Sequence, residues 1–198
     1  MQDDMKTCPE DRLEATVATL QRDDRRALAE LDDLIEAYPK DPRLYFLKGS
    51  ILAGAQRYEQ GRLEMRRAVE IAPAFHLARF QLGFLEFTSG LPIEAAETWA
   101  PLLHLDENAA FRRLVLGLNS LARDEFQEAE RQIRQGMEAN SEYPLINGDM
   151  QLLLDEIDRQ LNSPAEEAEA ELQVHTTSAT HQLLQQFELK EDKTRTTH

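Results

Sequence analysis

Residues 72–84 read APAFHLARFQLGF, and residues 38–50 read YPKDPRLYFLKGS. Laid over one another at an offset of 34, both give a proline, a short connection and a helical pattern containing a glycine. The offset continues in both directions. Gly49, Gly83 and Gly117 are spaced by 34, and Ala15 holds the same slot one period earlier. Ala27, Gly61, Ala95 and Ala129 form a second series of small residues. Pro39 and Pro73 form a third, continued less faithfully by Glu107 and Ser141. Tyr58 and Phe126 occupy a matching aromatic slot two periods apart, with Pro92 between them.

A small residue in the middle of a helix lets a partner helix approach closely, and a proline stops the second helix before the next pair begins. The series divide the chain into units 42–75, 76–109 and 110–143, preceded by a weaker unit 8–41 that keeps Ala15, Ala27 and Pro39. One helix pair of this length cannot bury its own apolar face, so the units must stack. Residues 144–162, PLINGDMQLLLDEIDRQLN, read as a solvating end helix, apolar on Leu145, Leu152, Leu153 and Ile157.

The pattern resembles the tetratricopeptide repeat. The resemblance implies an all-α fold, a right-handed superhelical solenoid of helix-turn-helix units over residues 1–162, followed by an acidic tail over 163–198. This sequence departs from the family at the inner packing slots of each first helix. Tyr45 and Leu52 fill them in the second unit, but Arg79 and Glu86 stand there in the third and Arg113 and Ser120 in the fourth. Either those helices are rotated, or Glu86 and Arg113 pair between adjacent helices.

In this family the first helices line a concave groove. Carried over slot by slot, the groove residues are Phe46 in the second unit, Leu77, Phe80, Phe84 and Phe87 in the third, and Phe111, Leu114, Leu118 and Leu121 in the fourth. Such a groove would be polar at its start and apolar across the third and fourth units. In the stretch 79–90, RFQLGFLEFTSG, the three phenylalanines share one face while Leu82 and Leu85 lie well away from it. One face would line the groove, or a rotated helix would bury the phenylalanines in its own pair. Relatives that clamp a carboxylate use Asn, Lys and Arg in the groove. This chain has Thr16, Leu77 and Gln81 at the matching slots, with Arg12 alone basic, which argues against that clamp.

Composition narrows the function. The 198 residues carry a net charge of -15, which argues against a nucleic-acid partner. Residues 42–141 hold 13 acidic and 12 basic side chains, so the acidity lies at the ends and the middle repels a partner least. No apolar run approaches a membrane span, and the acidic start is unlike a signal peptide, so a cytoplasmic protein with no membrane partner is expected. Cys8 is the only cysteine, which leaves no internal disulfide and no cysteine zinc site. There is no glycine-rich phosphate loop, no GxSxG and no HExxH. His76, His104, His175, His181 and His198 are scattered, so no enzyme, metal or cofactor is expected.

Beyond Asn162 the chain changes character: Ser-Pro, a Glu/Ala run, a Thr-rich stretch, then SATHQLLQQFEL at 178–189. This is either an acidic disordered tail, or a carrier for a short amphipathic segment bearing Leu183, Leu184 and Phe187. Its natural target would be the apolar groove of the same molecule or of a second copy. The sequence points to a non-catalytic adaptor that binds a partner peptide or helix in the groove. The alternative is a dedicated chaperone for a secreted or membrane-bound client protein.

Overall fold

The computed structural model describes residues 7–20 and 22–162. Among these residues the chain forms nine α-helices and one 3-10 turn, with no strand. It divides into two compact units, Met1–Glu86 and Phe87–His198.

The first unit holds α1 (Glu10–Leu20), α2 (Asp24–Ala37), α3 (Pro42–Gly54), α4 (Tyr58–Ile71) and most of α5 (His76–Thr88). Helix starts follow local chemistry. The Asp23 carboxylate accepts from the Arg26 N–H at 3.0 Å, and the Asp41 carboxylate accepts from the Arg43 N–H at 3.0 Å. Pro42 stands in the first turn of α3, where a missing N–H costs nothing. Leu31 and Leu34 of α2 pack with Leu44 and Ile51 of α3, and Cys8 and Tyr38 complete that cluster. A second cluster joins Tyr45, Met65, Ala68 and Val69 to Ala78, Leu82 and Leu85 of α5. The Leu82–Leu85 side of α5 is therefore part of the core that it shares with α3 and α4. Two apolar faces on one helix are two separate packing jobs.

The second unit holds α6 (Pro92–Trp99), a 3-10 turn (Ala100–His104), α7 (Ala110–Leu121), α8 (Phe126–Ala139) and α9 (Pro144–Asn162). The second helix of unit 76–109 is shorter than its counterparts because of Pro101. Proline has no N–H, and its ring excludes the carbonyl four residues back, so the chain tightens into a 3-10 turn. Trp99, fully buried just before the break, meets the Phe87 ring at 5.9 Å between centroids.

The repeat is visible at atomic detail in the seams between paired helices. A Cβ on Gly49 would lie 2.9 Å from the Gly61 carbonyl oxygen and 2.6 Å from Met65 Cγ. A Cβ on Gly117 would lie 3.0 Å from the Ala129 carbonyl oxygen and 2.6 Å from Ile133 Cγ1. The neighbours match residue for residue at twice the period. The weaker first unit does not repeat this seam: Ala15 is exposed and its neighbour Thr16 is buried. Ala15 therefore holds the small-residue slot in sequence only.

The turns repeat as well. Gln56, Gly90 and Asp124, at the 34-residue spacing, have φ of 60°, 75° and 57°. The Arg57 N–H donates to the Leu52 carbonyl at 2.8 Å, and the Glu125 N–H donates to the Ser120 carbonyl at 3.0 Å. These bonds reach back across the last helical turn and require a left-handed residue between.

The end helix corrects one expectation. α9 buries Ile146, Met150, Leu153, Leu154 and Ile157, whereas Leu145 and Leu152 face outward. Ile146, Met150, Leu153 and Ile157, at steps of four, three and four, follow the helical period. Leu145 and Leu152 lie on a different stripe.

Gly117→Ala is expected to lower stability by about 1–3 kcal/mol in urea denaturation, because the Ala129 carbonyl cannot withdraw without parting α7 from α8. The better helix propensity of alanine, about 1 kcal/mol, offsets only part of that. A variant more stable than the parent would show that this seam has slack.

Candidate functional site

Of the nine groove residues, four lie in the first unit and five in the second. Phe46 and Leu77 are half-buried, and Phe46 stands edge-on to Phe75 with ring centroids 5.3 Å apart. One turn apart on α5, Phe80 and Phe84 stack at 6.2 Å with their planes 7° apart. They are 1% and 7% exposed, so this pair is not presented to water.

In the second unit Phe87 packs on Trp99, and Phe111 stacks on Tyr143 at 5.5 Å. Leu114, Leu118 and Leu121 are fully buried. Leu114 is held in the seam between α7 and α8: a Cβ on Gly136 would fall 2.6 Å from its Cδ2 and 2.9 Å from its backbone nitrogen. Leu114 thus packs within its own helix pair.

The departures from the family pattern find local partners. Arg66 donates to the buried Glu86 carboxylate at 3.0 Å within the first unit. Arg113 Nη1 donates to the Gln132 side-chain oxygen at 3.2 Å, and its Nη2 donates to Asn108 at 3.4 Å.

One polar cluster was not legible as a site in the sequence. The Asp41 carboxylate, fully buried, accepts from the Cys8 N–H at 2.8 Å and from Arg43 Nε and Nη2 at 3.1 and 2.8 Å. Arg43 reaches on to the Glu10 carboxylate at 2.7 Å and to the Cys8 carbonyl at 2.8 Å. The start of α1 is thereby clasped to the start of α3. The Asp-Pro-Arg run at a helix start is the signal that could have shown it, since aspartate before an N1 proline reads as a cap. Lys48 forms a second node, with Asp32 at 2.8 Å and Glu64 at 3.1 Å.

These clusters are ion-paired networks, each with one cation shared between two carboxylates. Among the described residues no group of three or more His, Cys, Asp or Glu could hold a metal ion. His76 and His104 are exposed, and the other three histidines lie outside the described residues. No described helix is long and apolar enough to cross a membrane. Leu183, Leu184 and Phe187 also lie outside the described residues.

The helix pairs, their recurring seams and their recurring left-handed turns define an all-α, tetratricopeptide-like solenoid fold. Two solved structures share it. "MamA RS-1 ArsTM double mutant" matches with a TM-score of 0.54 at 15% identity, covering 77% of this chain and 96% of that one. MamA from residue 41 to its end, from Desulfovibrio magneticus RS-1, matches with a TM-score of 0.55 at 14% identity, covering 82% and 96%. At such identities the likeness is one of fold. No family model and no curated protein matches the sequence.

The clasp gives a pH dependence. Burial by itself would raise the Asp41 carboxyl. Hydrogen bonds from Arg43 and the Cys8 N–H, with the guanidinium charge, outweigh burial and hold it below the ordinary carboxylate value. Its stabilisation is complete above the unfolded value of about 4 and is lost as pH falls through the lowered folded value. Asp41→Asn is expected to cost about 2 kcal/mol at neutral pH. The gap between the denaturation curves of parent and variant should narrow as pH falls below about 4 and close below the lowered folded value; a constant gap would mean that the charge of Asp41 contributes nothing.

Proposed function

We propose that the protein is a non-catalytic interaction adaptor that takes a partner peptide or helix on apolar residues of its first unit, Phe46, Leu77, Phe80 and Phe84. The observation that carries the reading is the double-faced α5. Its Ala78, Leu82 and Leu85 already supply the core shared with α3 and α4. The stacked Phe80–Phe84 pair is a further apolar surface on that helix. The near-neutral charge of residues 42–141 suits a protein partner with an apolar recognition face.

Half-buried Phe46 and Leu77 are the accessible part of this set, and a partner meets them first. Phe80 and Phe84 are reached only by displacing whatever buries them, so binding includes an uncovering step. This separates two mutational classes. Phe84→Ala should cost about 3–5 kcal/mol of stability, as a buried phenylalanine does. Leu77→Ser with Phe46→Ser should cost less and should act on binding.

The test is affinity capture with the parent chain and with the Leu77→Ser/Phe46→Ser variant, after confirming that the variant unfolds cooperatively. Partner capture by the parent alone supports the adaptor. Equal capture by both would overturn the assignment of this face. The state of the released partner tells adaptor from chaperone. A partner that stays soluble alone fits an adaptor, and one that aggregates on release fits a dedicated chaperone.

A further inference from the structure

α9 begins at Pro144, 34 residues after α7 begins at Ala110. It therefore stands where the first helix of a further pair belongs. Its Leu145, Gly148 and Leu152 occupy the slots that Phe111, Leu114 and Leu118 hold on α7. On α7 all three are buried, and Leu114 is held against α8. On α9 they are open. Leu145 is 88% exposed, Leu152 is 47% exposed, and a Cβ on Gly148 would meet nothing within 4 Å. Gln151, in the slot of Gly117, is exposed too. A mid-helix glycine with open space around it costs about 1 kcal/mol against alanine and returns no packing among the described residues.

We propose that this face is the seam of a fifth pair whose second helix does not fall among the described residues, and that residues 178–189 of the same chain dock on it. The described chain ends at Asn162, at the C-terminal end of α9, and 36 residues follow. Within them Leu183, Leu184 and Phe187 are the one place where three large apolar residues fall within five positions. From Asn162 back to Gly148 is about 21 Å along the helix axis. A linker over 163–177 spans roughly 20 Å on average, so the segment reaches the face without stretching. Tethering sets an effective concentration of about millimolar, enough for a small apolar contact to form.

Charge favours this occupant over a second copy. Residues 178–189 carry a single charged side chain, Glu188, whereas a second chain brings a net charge of -15. α9 itself carries Asp149, Asp155, Glu156 and Asp158 against Arg159, so an acidic partner is repelled and a neutral one is not.

Hydrogen exchange on the full chain tests the docking, comparing the parent with Leu145→Asp/Leu152→Asp. Both residues are exposed, so the variant keeps its fold. Amides around Leu183–Phe187 are expected to exchange about tenfold faster in the variant; equal rates would overturn the proposal. Bismaleimide cross-linking of Gly148→Cys with Thr180→Cys, in a Cys8→Ser background, identifies the occupant. A cross-linked monomer supports the proposal. A cross-linked dimer would assign the face to a second copy, and cross-linking only to a cysteine placed at Leu77 would assign the segment to the groove; either result overturns it.

Discussion

The structure depends on one steric constraint: within a pair, the helices meet backbone against backbone. At Gly49 and at Gly117 the space that a Cβ would fill is taken by a carbonyl oxygen of the partner helix, 2.9 and 3.0 Å from that position. Two helices can come so close only where a side chain is missing, and that fixes which residues face each other. Met65 and Ile133 then fall into equivalent places beside the glycines. Once the seam is set, the connection must turn sharply, which is why the residue after each first helix takes a left-handed conformation at Gln56 and Asp124. At Gly90 the same turn has a residue free of Cβ strain.

Where this constraint is absent the chain uses other means. The first pair has no glycine seam, since Ala15 faces solvent. Instead Asp41 and Arg43, at the start of α3, hold Cys8 and Glu10 at the start of α1. These charge-assisted hydrogen bonds join the first helix of one pair to the first helix of the next. Such a clasp responds to pH, whereas a glycine seam within a pair does not.

The fold was legible because its cause is periodic. A missing side chain every 34 residues is a pattern that a sequence displays directly, so helix pairing could be read off Gly49, Gly83 and Gly117. The left-handed turns were not legible, because Gln56 and Asp124 are not residues that advertise positive φ and only Gly90 is. The site was less legible than the fold. Slots carried over from a family assume a helix orientation, and the polar residues at the inner slots of α5 and α7 signalled that the assumption was weak. Leu114 shows the consequence: it lies in the seam because Gly136 leaves room for it. On α9 the pattern of leucines misled, since eight apolar side chains in nineteen positions support more than one stripe and only packing against α8 selects between them.

Burial of the phenylalanines also constrains how the proposed adaptor would work. Uncovering and re-covering Phe80 and Phe84 largely cancel, at roughly 1.5–3 kcal/mol per fully buried side chain in each direction. A partner gains only the difference between its own contacts and those it replaces. The net driving force is therefore concentrated on the half-buried residues at the edge, Phe46 and Leu77, which gain burial without first losing it. On the proposed reading, selectivity would rest on how well a partner fits around the stacked pair, because the apolar area itself contributes almost the same to every partner.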